Sequence, residues 1–64
     1  MKLIVLDFEK DITYVYTITE HDINALDMVD PQGEDWLSYF GGIENKHREV
    51  NCQWMLSKND IIIK

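Results

Sequence analysis

One cysteine, one proline, three glycines and six cationic side chains are what this 64-residue chain has least of, and each scarcity excludes something. With Cys52 alone, no intramolecular disulfide can form, and a Cys-rich zinc site lacks its four ligands. The other ligand candidates, His21 and His47, stand at no finger or ribbon spacing from Cys52. No metal and no cofactor are therefore expected. No apolar run approaches the roughly 18 residues of a membrane span, so no membrane insertion is expected either. In "MKLIVLDFEKD" the short apolar run meets Asp7 and Glu9 at once and no A-x-A-like site follows, which reads against a signal peptide. A lone free thiol fits a reducing compartment, and the expected location is cytoplasmic.

Cations are not only few but unevenly placed. Residues 1–43 carry nine carboxylates (Asp7, Glu9, Asp11, Glu20, Asp22, Asp27, Asp30, Glu34, Asp35) against Lys2 and Lys10, a net −7. Residues 44–64 carry Glu44, Glu49 and Asp60 against Lys46, Arg48, Lys58 and Lys64, a net +1. Nucleic-acid binding draws its energy from neutralising phosphates with Lys and Arg, so direct binding to nucleic acid is not expected.

What is present is a folded composition. The apolar fraction is 45%, too high for a disordered tail. The length allows one domain over 1–64, which buries only roughly 60% of its unfolded surface and is correspondingly marginal. Lacking disulfides and a recognisable metal site, such a domain is expected to gain stability by association.

"KLIVLDF" (2–8) and "ITYVYTIT" (12–19) read as strands, the second rich in β-branched and aromatic residues. "EKD" between them reads as a three-residue hairpin loop with Asp11 in the left-handed region. That loop sets Phe8 opposite Ile12, Leu6 opposite Tyr14 and Ile4 opposite Tyr16, so Ile4, Leu6, Phe8, Ile12, Tyr14, Tyr16 and Ile18 share one face. Leu3, Val5, Asp7, Thr13, Val15 and Thr17 then share the other. Thr19 followed by Asp22, or Asp22 itself, can start a short helix carrying Ile23, Leu26 and Val29. Pro31 disfavours helix at Asp30, so "DPQG" reads as a turn. A second helix is expected over 34–40, with Glu34 and Asp35 in its first turn and Gly41 or Gly42 ending it. Trp36 and Phe40 form its stripe, with Leu37 alongside and Tyr39 at the edge.

"EVNCQWMLS" (49–57) alternates, with Val50, Cys52, Trp54 and Leu56 on one side. A turn at "KND" and a last strand "IIIK" would set Leu56 opposite Ile61 and Trp54 opposite Ile63. The fold expected is α+β: a small single domain in ββαββ order. Its antiparallel sheet would have about four strands, with one or two short helices on one face.

Little of this carries chemistry. Cys52 sits in an apolar alternation and reads as a buried structural cysteine, because a nucleophile needs exposure and a partner base. His21 beside Asp22 reads as a solvated pair at a helix start. Asp27, Asp30, Glu34 and Asp35 cluster at a turn but lack calcium-loop spacing, and read as a solvated acidic face. "NKHR" (45–48) is the one basic cluster, where Arg48 could pair with a carboxylate or phosphate. Among the aromatics, Phe8, Phe40 and Trp54 read as core. Trp36 and Tyr39 belong to types that dominate interfaces.

The expected function is a small acidic protein–protein interaction protein without catalytic activity, possible self-association being through a sheet face or edge. Candidate partner-binding residues are Trp36, Tyr39, Asp27, Asp30, Glu34 and Asp35. The partner would be a protein, a second copy of the chain being one form. One alternative is an acidic decoy that docks on a basic nucleic-acid-binding protein. Another is a metal- or thiol-dependent enzyme using Cys52 and His47, with His21.

Overall fold

The computed structural model describes residues 1–42, 46–59 and 61–64. Strand β1 (Lys2–Asp7) turns into β2 (Ile12–Thr17), followed by helices α1 (Glu20–Leu26) and α2 (Gly33–Gly41). A short 3-10 turn, Glu49–Asn51, then leads into β3 (Cys52–Ser57). The three strands form one antiparallel sheet in the order β2-β1-β3. The architecture is α+β, as expected, but the order is ββααβ and the sheet has three strands. Residues 61–64 form no strand, and the pairing of Leu56 with Ile61 is replaced by pairing of β3 with β1, Leu3 standing opposite Leu56. β1 is a continuous apolar run, which suits a central strand flanked on both sides, and β3 fills the place beside it. Of the "KND" turn, Asp60 lies outside the described residues.

The register of the first hairpin differs from the expected one by a single residue. Leu3 stands opposite Tyr16, Val5 opposite Tyr14 and Asp7 opposite Ile12. The cause is the loop, which has four residues (8–11) rather than three. Asp7 ends the strand by accepting the Lys10 backbone N–H on Oδ1 at 3.0 Å, so Phe8 is drawn into the turn. Asp11 closes it in the left-handed region, φ 55°, as its short polar side chain allows. A slip of one residue moves every side chain of a strand to the other face. Thus Leu3, Val5 and Asp7 face the helices and Ile4 and Leu6 face away. Phe8, read as core, is 64% exposed.

The other elements keep their expected faces. Tyr14 and Tyr16 on β2, and Cys52, Trp54 and Leu56 on β3, turn toward the helices. Val50, expected to join them, is instead exposed in the 3-10 turn. Helix α1 is capped by Thr19 and Asp22: the Asp22 N–H donates to Thr19 Oγ1, and the Thr19 N–H donates to Asp22 Oδ2 at 2.8 Å. It ends at Leu26, where Asp27 adopts φ 48°, so Val29 lies beyond it and is exposed. Asp30 is also left-handed, at φ 53°, just before Pro31. Helix α2 starts where Asp35 accepts the Gln32 N–H at 2.7 Å, and Gly42 at φ 66° follows its end.

The core is Leu3, Val5, Ile18, Trp36, Leu37 and Cys52, with Tyr14, Tyr16, Leu26, Tyr39, Phe40, Trp54 and Leu56 packed around it. Each fully buried aliphatic or aromatic side chain is worth about 1.5–3 kcal/mol, so this small set carries the stability. At Gly33 α2 packs tightly on the Trp54 ring of β3: a Cβ there would lie 2.9 Å from Trp54 Cδ1. The molecule is a slab 15 Å thick, room for one sheet and one helical layer.

Candidate functional site

Among the described residues, no helix or strand covers the far side of the sheet. Across its middle runs Val15–Ile4–Met55, with Thr13–Leu6–Gln53 and Thr17–Lys2–Ser57 as the rows on either side. Leu6, Val15 and Met55 are exposed. Lys2 is the one charged side chain in these three rows, and its Nζ donates to Thr17 Oγ1 at 3.0 Å. Residues Ile61, Ile62 and Ile63 border an open groove of about 530 Å³ over Ile4, Val15 and Met55. They leave most of this face bare, since Ile62 and Ile63 are themselves exposed. Among the described residues β2 and β3 are edge strands, with an unpaired row of backbone groups each.

The residues singled out as partner-binding lie on the opposite side. Trp36 is fully buried beneath α2 and belongs to the core, out of reach of any partner. Tyr39 is half-buried, and its hydroxyl donates to Asp22 Oδ1 at 3.0 Å, tying α2 to α1. That bond raises the Tyr39 pKa, with burial adding to it. Asp22 is lowered, first by the Thr19 backbone N–H and then by the Thr19 hydroxyl. Three of the four acids have backbone duties. Asp27 and Asp30 take the left-handed conformation that a glycine-poor chain must fill by other means, and Asp35 caps α2. Glu34 is exposed, as are Asp27 and Asp30, while Asp35 is half-buried. His21 is exposed on α1.

A second constellation is buried. Asp7, His47 and Cys52 bring their ligand-type atoms within 4.8 Å of one another, and each residue is 2–3% exposed. The sheet register places Asp7 directly opposite Cys52. His47 enters from the segment after α2, its backbone N–H beside Gly41, and its ring is met edge-on by Tyr14 and Tyr16 at 4.7 and 5.5 Å between centroids. Its Nε2 shares a hydrogen bond with the Tyr16 hydroxyl, while Nδ1 is buried without a partner among the described residues. Burial pushes the Cys52 thiol up and the Asp7 carboxylate adds to this. The His47 imidazole is pushed down by burial, and the Lys10 ammonium acts in the same direction. The Tyr16 phenol is raised by burial and by Tyr14. Both shifts run toward a neutral thiol and a neutral imidazole and away from the thiolate–imidazolium pair that a nucleophilic cysteine requires. Arg48 and Lys46 are exposed, and Asn45 of "NKHR" lies outside the described residues.

Comparisons with protein-family models, curated proteins and solved structures return no match. The functional reading rests on the geometry above. The sequence placed Asp7 on one face with Leu3 and Val5, but β1 is apolar at nearly every position, so nothing marked that face as the buried one. The role of Asp7 beside His47 and Cys52 became visible only once the register put Leu3 and Val5 in the core.

Proposed function

We propose that this protein works by binding another protein through the bare face of its sheet, and that the occupant is a second copy of the chain. The observation that carries this reading is the Val15–Ile4–Met55 row, apolar across all three strands and open to solvent. Charge supports the second copy. The carboxylates of the helical layer lie on the far side of a slab 15 Å thick, beyond the roughly 8 Å Debye length of physiological salt. Two copies meeting face to face hold those layers apart and bring together surfaces with almost no charge. An apolar sheet face pressed against its own copy is also how a domain too small for a full core gains burial.

Sedimentation velocity across a concentration series, at low and high salt, tests this. A concentration-dependent dimer at both salts, converted to monomer by Met55→Lys, is the expected result. A monomer at every concentration overturns the second copy as occupant.

A second reading is favoured by a separate observation. Glu20, Asp27, Asp30 and Glu34 are exposed on the helical side and, among the described residues, the one salt bridge is Lys10–Asp7. Those carboxylates could dock on a basic surface, with an association that weakens steeply as salt rises. Salt-independent association speaks for the apolar face instead.

A further inference from the structure

Three buried polar side chains of three chemistries meet where β1 ends and β3 begins, in a domain with little core to spare. An imidazole nitrogen without a partner among the described residues, 97% buried as a residue, carries a desolvation cost that a ligand would offset. We propose that Asp7, His47 and Cys52 form a binding site for one borderline-soft divalent cation of the zinc class. This site lies on the helix-covered side of the sheet and does not depend on the dimer proposed above.

The donor set selects the metal. A thiolate, an imidazole nitrogen and a carboxylate oxygen are the three protein donors that zinc takes, whereas magnesium and calcium require oxygen. The atoms lie within 4.8 Å of one another, so a small inward movement closes them around one ion. Each donor is already held by a neighbour. Asp7 Oδ1 accepts the Lys10 N–H at 3.0 Å, which fixes the carboxylate. Cys52 is fixed by its place opposite Asp7 in the sheet. In the tautomer whose Nε2–H donates to the Tyr16 oxygen, His47 has its lone pair on Nδ1, the nitrogen without a partner among the described residues. Such an outer hydrogen bond is what orients a histidine toward a metal.

Lys10 is the present neighbour of the carboxylate, its ammonium 3.8 Å from Asp7 Oδ2. It is the charge that a bound cation would displace toward solvent. On binding, the Cys52 thiol gives its proton to water as the sulfur joins the metal. Three protein ligands leave a fourth position for water, and of the three it is His47 that also borders an open pocket of about 250 Å³, beside Ser38, Arg48 and Glu49.

Cobalt(II) and zinc(II) added to the full metal-free chain at neutral pH test the proposal. The expected result is uptake of one cobalt ion per chain, with a thiolate-to-cobalt charge-transfer band in the near ultraviolet. Visible bands of tetrahedral intensity should accompany it, and zinc should displace both. In a ring-nitrogen NMR spectrum zinc should move His47 and leave His21 in place. Cys52→Ser should abolish the charge-transfer band, and Asp7→Asn should weaken binding by at least the 10–100-fold that loss of an outer partner costs. Circular dichroism of each variant shows whether it is folded. Where Cys52→Ser is not, the wild-type band decides, because Cys52 is the only thiol in the chain. Absence of that band with cobalt in excess, or a zinc shift at His21 rather than His47, overturns the proposal.

Discussion

Leu3 and Leu6 are the same residue on the same strand, yet one is fully buried and the other 40% exposed. They stand for the two faces of the sheet. The face of Leu3 is covered by α2 and filled with Val5, Trp36, Leu37 and the surrounding aromatics. The face of Leu6 carries Ile4, Val15 and Met55 across its middle, with only the border of Ile61, Ile62 and Ile63 beside them among the described residues. The difference teaches that apolar side chains do not choose the core one by one. The helices can cover only one side, and the side they cover is set by β1's register.

The comparison can be broken in graded steps. Leu3→Ala should cost about 2–5 kcal/mol as a cavity in the core, while Leu6→Ala should cost below about 1 kcal/mol. Urea denaturation of the two variants, at a concentration where the chain is monomeric, checks this, and equal losses would mean that the faces are not what the register makes them. Gly33→Ala tests the tightness of the covered side from the other direction. The added methyl meets the Trp54 ring at 2.9 Å, and overpacking of this kind costs about 1–3 kcal/mol. The fluorescence of Trp54 should shift in the same variant.

Substitutions on the bare face should do the reverse. Val15→Lys should leave monomer stability within about 0.5 kcal/mol. It should also remove the concentration dependence of the sedimentation coefficient.

The smallest expected effect is on pH dependence, from the bond between the two helices. Asp22 is held below its unfolded value, so its contribution is present above about pH 4 and is lost as pH falls through the folded value. Tyr39 is held above its unfolded value, so its contribution is present below about pH 10 and is lost as pH rises through the folded value. Thermal midpoints of wild type and Asp22→Asn, followed across pH, should differ most between those limits and converge on the acid side.

Much of the local structure was legible before the fold was known. The capping pair Thr19 and Asp22, the start of α2 at Glu34 and Asp35, and the left-handed Asp11 all depend on residues within four positions of one another. Pro31 announced the break before α2, and the helical spacing of Trp36 and Phe40 announced its apolar stripe, but Trp36, read as partner-binding, is instead fully buried. The alternation in β3 told Cys52, Trp54 and Leu56 from Gln53 and Met55, because polar residues mark the other face. β1 has no such marking from Leu3 to Leu6, so its face waited on the length of the loop. That length turned on one hydrogen bond, from the Lys10 N–H to Asp7. The acidic cluster was visible as charge, while the backbone work of Asp27, Asp30 and Asp35 was not.

By itself, then, the sequence determined an antiparallel hairpin, two capped helices, an α+β class and a chain too short to cover both sides of its own sheet. Those follow from local sterics, capping and surface-to-volume scaling. Only the tertiary structure decided that β3 pairs with β1, that Leu3 and Val5 rather than Ile4 and Leu6 meet the helices, and that Asp7, His47 and Cys52 converge. The three come from different segments up to 45 positions apart in number. No local pattern can encode a meeting that the strand order and the register create between distant residues.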